Sequence, residues 1–414
     1  MNAQAPAKKR ANDKSGWGTF RFLRRPILIF WAALIVRLVY IAFLPEGYYF
    51  SDFRNYEQAA VSLLSGDGFG AEYQRPPLYP LFIAAHYLLF GPHFFPMRLM
   101  QGVLGALGSL LIYWIARRLL GERAGKIAGW ISVFYPYYIF IAGLLYPTLL
   151  STTLHLLALA ALLKAQQGRF AVWTAASAAC LAFAALATPV SLAFLPFMLW
   201  WILAFGGFLL KQRLISAGIA LFIVFLGLLP WTYYNYQRTG RITLVDARAR
   251  EHMPYFVDGD TTRAGQKNAW QDRIPNLVSN MDKFALRTAK EFIHFWTFVP
   301  DRTVTKDPEY REKAHQADQR IVIQHSFTSR WLDYVSILTY GPVLVLALAG
   351  LILNWAHRRK LSLIIFLLIS QAIGYSFFFT QVRYRLPVEF CLMILAAGAL
   401  NYLWLRMRKE EQTA

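Results

Sequence analysis

A carboxylate just after the first apolar run has the clearest capacity for catalysis. Asp52 precedes a segment, residues 53–64, in which apolar side chains recur at helical intervals. The pattern predicts an amphipathic helix on the membrane surface, which would hold Asp52 just above the lipid. A carboxylate there can act as a general base on an incoming hydroxyl. It can equally cap the helix, which is the commoner use of an aspartate at a helix start.

An arginine that precedes paired prolines is the second candidate. Arg75 opens the sequence RPPLYP, in which the prolines favour an extended entry into a short apolar run, residues 77–90. A guanidinium at head-group depth is suited to bidentate binding of a phosphate. The alternative is a snorkelling arginine that contacts lipid head groups alone.

The turn between the last two apolar runs holds the third candidate group. Arg383 and Arg385 flank Tyr384 in the sequence TQVRYRLPVEF. Basic residues in an outer turn oppose the positive-inside tendency, which indicates a function such as holding an anionic ligand. Glu389 offers Arg385 an ion-pair partner at i, i+4 as the structural alternative.

Five further side chains are candidates for binding substrate: Arg37, Tyr56, Glu57, Arg98 and Tyr384. The alternative for Arg98, at the outer end of the second apolar run, is an anchor at the membrane interface. Arg37 and His155 stand within apolar runs, so they should face the bundle interior or a water-filled cavity. The histidines are too scattered to form a metal-ligand signature. We therefore predict no metal site, while participation of a divalent cation is left open.

The elements that must position these residues are membrane-spanning helices. Of the 414 residues, 57% are hydrophobic and 16% are charged, against about 25% charged in soluble domains. Ten apolar runs are near spanning length: 27–44, 97–116, 124–142, 148–163, 170–186, 190–210, 214–234, 334–355, 361–379 and 386–405. The net charge of +20 lies in clusters between these runs, which indicates membrane topology rather than nucleic-acid binding. The predicted class is an all-α polytopic membrane protein.

Orientation follows if the short run 77–90 lies on the outer surface, because the basic connections then all fall in the cytoplasm. The prediction is a multi-pass protein of a bacterial inner membrane with both termini cytoplasmic. Its parts are a basic leader, 1–26; a transmembrane module, 27–234, with an outer loop at 45–96; a second outer segment, 235–333; C-terminal transmembrane helices, 334–405; and a tail, 406–414. No phosphate-binding glycine motif is present, which argues against direct use of ATP.

Several segments, taken in order, resemble glycosyltransferase family 39. They are SDFRNYEQAAVSLLSGDGF, RPPLYPLFIAAHYLLFG, RLLGERAGKIAGWISVFYP, PWTYYNYQRTGR and RYRLPVEF. The family includes protein O-mannosyltransferases and, more distantly, lipid A aminoarabinose transferases. The resemblance implies a GT-C bundle of about ten transmembrane helices with juxtamembrane helices on the outer surface.

The resemblance also implies an activity: transfer of a sugar from a polyprenyl-phosphate donor to a hydroxyl of a glycan, lipid or protein at the periplasmic face, with inversion. It implies that Asp52 is the catalytic base and that Arg75 contacts the donor phosphate, and we predict that Arg383 and Arg385 join it. Family members often carry two adjacent acids where this chain has Ser51 and Asp52. The base is therefore assigned to Asp52 alone.

Two rival functions remain at the level of the sequence. An envelope polysaccharide polymerase or ligase would rely on the second outer segment, which would leave Asp52 dispensable. A non-enzymatic lipid-linked sugar transporter or flippase would need ionisable residues along a path through the membrane, for which Arg37 and His155 are the candidates. Neither the sugar nor the acceptor is specified by the sequence.

Overall fold

The computed structural model describes residues 26–45, 47, 51–70, 73–205, 209–240, 242–246, 281–298, 331–378, 380 and 382–413, with the backbone alone at 51, 52, 331, 332 and 413. These described ranges contain helices and no strands. Their α-helices are α1 Ile27–Ala42, α2 Ser51–Leu64, α3 Leu78–Phe90, α4 Phe94–Leu120, α5 Glu122–Phe134, α6 Pro136–Phe140, α7 Thr148–Ala165, α8 Phe170–Ala187, α9 Phe194–Phe205, α10 Leu210–Thr239, α11 Met281–His294, α12 Trp331–Leu353, α13 Arg358–Ser376, α14 Val382–Arg385 and α15 Glu389–Thr413.

Each predicted apolar run contains helix, and the predicted all-α membrane class is confirmed. Within the described ranges, seven helices are long and apolar enough to cross a membrane. Three more apolar helices are shorter: α1, α3 and the stretch Pro189–Phe205. The chain is a multi-span helical membrane protein.

Of the three predicted spans that are not among these seven helices, two are interrupted at a proline. The run predicted at 124–142 ends its first helix at Phe134, and Pro136 then begins the short helix α6. The run predicted at 190–210 opens with a 3-10 helix, Pro189–Ala193, before α9. Proline lacks an N–H and clashes with the carbonyl four residues earlier, so a helix begins at it more readily than it continues through it.

Helix α4 lies at the centre of the N-terminal part and packs against α1, α5 and α7. From α7, contacts continue through α8 to α10. The last helix, α15, packs against α12 and α5 and so joins the C-terminal helices to the N-terminal ones, while α13 packs against α9. The short helices α2 and α3 pack on each other, and α3 exposes Leu88, Leu89 and Phe90 at its end.

The closest approach of α12 and α15 depends on Gly350. A Cβ at this position would overlap the backbone carbonyl of Leu395, which cannot move without shifting α15. We expect Gly350→Ala to lower the free energy of unfolding by about 1–3 kcal/mol, the usual cost of overpacking. Thermal unfolding in detergent measures it.

Gly218 supplies the matched control for this prediction. It lies within α10, and a Cβ there would meet no heavy atom within 4 Å. Gly218→Ala should leave the melting temperature unchanged or raise it slightly, because alanine is the better helix former. Equal melting temperatures for the two variants would contradict the close packing of α12 on α15.

Candidate active site

A cleft of about 380 Å³ lies where several helix ends meet. Its lining comes from α2, from the segments that precede α3 and α7, from the end of α8, from residue 246, and from the region of α13 and α14. The lining residues are Tyr56, Arg75, Pro76, Tyr146, Pro147, Thr148, Ala187, Thr188, Pro189, Val190, Asp246, Tyr375, Phe378, Arg383, Tyr384 and Pro387.

Four of these lining residues are prolines that stand at or just before the start of a helix, where the missing N–H is not needed. One of them, Pro147, precedes the 18-residue helix α7, whose first residue, Thr148, also lines the cleft. The unsatisfied N–H groups and the helix dipole make such a terminus favourable for an anion.

Arg383 is held between two tyrosines at the cleft wall. Its Nη1 donates to the hydroxyl of Tyr146 at 3.2 Å, and its Nη2 donates to that of Tyr384 at 3.3 Å. The guanidinium carbon lies 5.5 Å from the Tyr146 ring centre and 5.1 Å from that of Tyr384, within cation–π range. Tyr384 in turn stacks on Tyr375, with ring centres 4.7 Å apart. Aromatic packing thus fixes the direction of this cation.

Arg75 lines the same cleft from the segment between α2 and α3. Its guanidinium carbon lies 5.3 Å from the ring centre of Tyr56. Tyr56 makes edge-to-face contacts with Tyr79 at 5.2 Å and with Tyr146 at 6.2 Å. Because Tyr146 also contacts Arg383, one group of aromatic rings supports both arginines. Arg75, Arg383, Tyr56 and Tyr384, all predicted from the sequence, are therefore brought together.

Asp52 is the second residue of α2. The helix begins two residues before the predicted start at residue 53, so Asp52 lies within its first turn and does not precede it. Its side chain lies outside the described residues, so its role as base or as cap stays a prediction.

Arg385 is not among the lining residues of the cleft, although it follows Arg383 by two positions. It is fully buried, and its Nε donates to Glu389 Oε1 at 2.6 Å. Its Nη1 donates to the carbonyls of Phe295 at 2.9 Å and Thr297 at 3.0 Å. The ion pair that the sequence offered as an alternative is thus present, and Arg385 fastens the chain after α11 to the bundle.

Arg98, Arg37 and Glu57 also lie outside the lining of the cleft. Arg98 is fully buried, and it donates to the carbonyls of Gly143 at 3.0 Å and Pro45 at 2.9 Å. These bonds tie the start of the first outer loop to the chain before α7.

Arg37 donates to Ala33 O within α1, at 3.0 Å, and to Ser132 O of α5, at 3.3 Å. Glu57 accepts a hydrogen bond from the Tyr87 hydroxyl at 3.4 Å and thereby links α2 to α3. The hydrogen bonds of these three residues join helices and loops of the bundle, and none of the three lines the cleft.

The sequence reasoning missed Asp246, Tyr146, Thr188 and Tyr375 as lining residues. A proline beside two of them, Pro147 and Pro189, marks a helix start, and that signal was available. Asp246 carried no such signal, because its segment shows no periodicity. In the part of the chain that the structure describes, no three His, Cys, Asp or Glu side chains come close enough to hold a metal ion.

Comparison with known proteins adds a sequence family and several solved structures. Residues 74–234 match the family described as dolichyl-phosphate-mannose-protein mannosyltransferase. The crystal structure of ArnT from Cupriavidus metallidurans bound to undecaprenyl phosphate matches with a TM-score of 0.55 and 19% identity, over 91% of this chain and 60% of that one. The apo oligosaccharyltransferase of Archaeoglobus fulgidus matches with a TM-score of 0.59 and 12% identity, over 97% of this chain and 52% of that one.

The chain has the GT-C fold. The resemblance inferred from its motifs is thereby confirmed. This GT-C chain spans about three-fifths of the length of ArnT and about half of the oligosaccharyltransferase. The family match includes Arg75 and Tyr146 and stops before Asp246 and Arg383. No curated protein sequence matches the chain.

Proposed function

We propose that this GT-C chain is a membrane glycosyltransferase. It transfers a sugar from a polyprenyl-phosphate donor to an acceptor hydroxyl at the periplasmic face of a bacterial inner membrane, with both termini in the cytoplasm. The observation that carries the proposal is the pair of arginines, Arg75 and Arg383, in one cleft at the N-terminus of α7. A site with cations and a helix N-terminus suits a lipid-linked phosphate. ArnT, which has a similar fold, was crystallised with undecaprenyl phosphate.

In the proposed reaction, Asp52 and the pair Arg75 and Arg383 have separate roles. The acceptor oxygen attacks the anomeric carbon as Asp52 takes the acceptor proton. The bond from that carbon to the phosphate oxygen breaks, and its electron pair leaves with the polyprenyl phosphate. Arg75 and Arg383 stabilise the charge that develops on this leaving group. The new bond forms on the face opposite the departing phosphate, so the configuration of the sugar inverts.

The tyrosines of the cleft support the same proposal. Tyr56 and Tyr146 are rigid aromatic surfaces beside the two arginines. They cover part of each guanidinium, and partial burial of a cation strengthens its attraction to a phosphate. A donor dissolved in the bilayer needs cationic groups at head-group height rather than a nucleotide pocket.

Asp52→Asn tests the proposed base. We expect sugar transfer from polyprenyl-phosphate donors to envelope extracts to fall at least about 100-fold, because general-base catalysis contributes about 10²–10⁴. Affinity for undecaprenyl phosphate should stay unchanged, since the arginines remain. The measurement uses the purified chain in detergent with radiolabelled sugar on the donor.

Asp67→Asn is the control, because Asp67 is an exposed carboxylate of the same outer loop and does not line the cleft. It should transfer like the wild type. If folded Asp52→Asn also transfers like the wild type, Asp52 is not the base, and a polymerase or ligase that uses the second outer segment is favoured. If the wild type neither transfers any sugar nor binds undecaprenyl phosphate, the transferase proposal fails.

A further inference from the structure

The chain that follows α10 is folded back and fixed along that helix. Gly240 ends the helix with a φ of +64°, and its N–H donates to Tyr236 O, as in a glycine C-cap that reverses the chain. The indole N–H of Trp231 then donates to Val245 O at 2.6 Å, and the side-chain amide of Asn235 donates to Thr243 O at 3.4 Å. Residues 242–246, which we call the return segment, are thereby held against α10.

The return segment brings a carboxylate to the cleft. Val245 is buried, and the next residue, Asp246, lines the cleft together with Arg75 and Arg383. Among the described residues of the lining it is the one acidic side chain. Its position follows from the turn at Gly240 and from three hydrogen bonds to α10, the third from the Thr232 hydroxyl to Leu244 O at 3.1 Å.

A carboxylate in a phosphate-binding cleft does not itself hold the phosphate. Two like charges in one cleft repel each other, so Asp246 opposes the binding of a phosphate held by the arginines. A carboxylate has two oxygens that accept hydrogen bonds, and the neighbouring hydroxyls of a sugar ring can donate to both. Such charge-assisted bonds are about twice as strong as neutral ones.

We infer that Asp246 binds the hydroxyl groups of the sugar on the lipid-linked donor and so helps to choose that sugar. This inference rests on the proposed function and gives Asp246 a task different from that of Asp52. Asp246 contacts the sugar that is transferred, whereas Asp52 takes the proton of the acceptor. The bare lipid phosphate, which lacks the sugar, meets the repulsion of Asp246 without the compensating hydrogen bonds.

The test compares the binding of two kinds of lipid to Asp246→Asn. The probes are undecaprenyl phosphate and the same lipid carrying glucose, mannose or galactose, each competed against radiolabelled undecaprenyl phosphate on protein in nanodiscs. For the sugar-carrying lipid that the wild type binds best, the variant should lose about tenfold or more in affinity, the effect of one charge-assisted hydrogen bond. For bare undecaprenyl phosphate it should gain about threefold or more, because a like charge is removed.

The opposite signs of these two changes separate the inference from a loss of folding, which would weaken both lipids. Asp67→Asn is the matched control and should change neither affinity. If Asp246→Asn binds both lipids as the wild type does, or weakens both equally, the inference is overturned while the transferase proposal stands. If the wild type binds undecaprenyl phosphate no better than it binds a neutral lipid, the proposed function itself has failed.

A substitution at Trp231 provides a second variant, one that leaves the Asp246 carboxylate in place. Trp231→Phe keeps an aromatic ring beside Phe69 and Tyr234 but removes the N–H that holds Val245. It should reduce the preference for the sugar-carrying lipid in the same direction as Asp246→Asn, by a smaller factor. If both Trp231→Phe and Asp246→Asn keep the wild-type preference for the sugar-carrying lipid, the return segment takes no part in binding the donor.

Discussion

Replacing Arg383 by alanine is expected to lower the affinity for undecaprenyl phosphate by about ten- to a hundredfold. Hydrogen bonds to a charged group contribute about 1.5–3 kcal/mol, and about 1.4 kcal/mol corresponds to a factor of ten. The loss should be large because Arg383 is already directed by Tyr146 and Tyr384, so little ordering is needed when the phosphate binds. Binding of the radiolabelled lipid to protein in nanodiscs gives the dissociation constant.

Two further variants test whether the loss of affinity is specific to the guanidinium of Arg383. Arg383→Lys keeps the charge and loses the planar fork, so it should bind with intermediate affinity. Arg359→Ala is the control, because Arg359 is exposed at the start of α13, the helix that carries Tyr375 near its other end. An Arg383→Ala variant that binds the lipid phosphate like Arg359→Ala would contradict the placement of the phosphate in this cleft.

The second large effect is expected at the buried ion pair of Arg385 and Glu389. Arg385→Met leaves the Glu389 carboxylate without its cation in a site that solvent does not reach. Removing one partner of a buried pair costs about 3–5 kcal/mol, whereas replacing both by apolar residues of similar size is often neutral. We expect a sharply lower melting temperature for Arg385→Met and recovery in the double variant Arg385→Met, Glu389→Leu.

Another ion pair of the same chain is a matched control. Arg406 and Glu410 have the same residue types at the same spacing, but both side chains are about two-thirds exposed. Arg406→Met should therefore cost less than about 1 kcal/mol. Similar melting temperatures for the Arg385→Met and Arg406→Met variants would contradict the structural role of Arg385. The folded double variant also tests the phosphate-binding role first predicted for Arg385. Because Arg385 does not line the cleft, we expect the double variant to bind undecaprenyl phosphate with the affinity of the wild type.

The sequence predicted the helices because apolar runs of this length have few other solutions in lipid. It could not foresee the break at Pro136, since proline is tolerated inside some membrane helices, as Pro230 is within α10. Whether a proline breaks a helix depends on whether neighbouring helices can bind the backbone groups that it frees. That depends on the tertiary structure and cannot be read from the local sequence. The all-α class and the positions of the apolar runs were thus predictable from the sequence. Whether each run forms one unbroken helix was not.

The site was predictable where local chemistry marked it. Arg75 beside paired prolines and Arg383 in an outer turn both line the cleft. The sequence offered Arg385 alone an ion-pair partner, Glu389 at i, i+4, but this spacing could not decide which of the two arginines meets the cleft. Positions i and i+2 of a helix do not share a face, and only the packing around α14 decides which side meets the cleft. Asp246 depends on the turn at Gly240 and a bond to Trp231, which no local pattern encodes.

Arg383 and Arg385, two residues apart in α14, point to different partners, and this limits which sequence changes the protein can accept during evolution. One guanidinium lines the cleft, and the other is fastened to carbonyls of the chain after α11. Inserting or deleting one residue between them would rotate one arginine by about 100° relative to the other, so both could not keep their partners. Substitutions can accumulate in this turn during evolution, but its length cannot drift. Among distant homologues, a fixed spacing between these two positions should therefore outlast the identity of the residues around them.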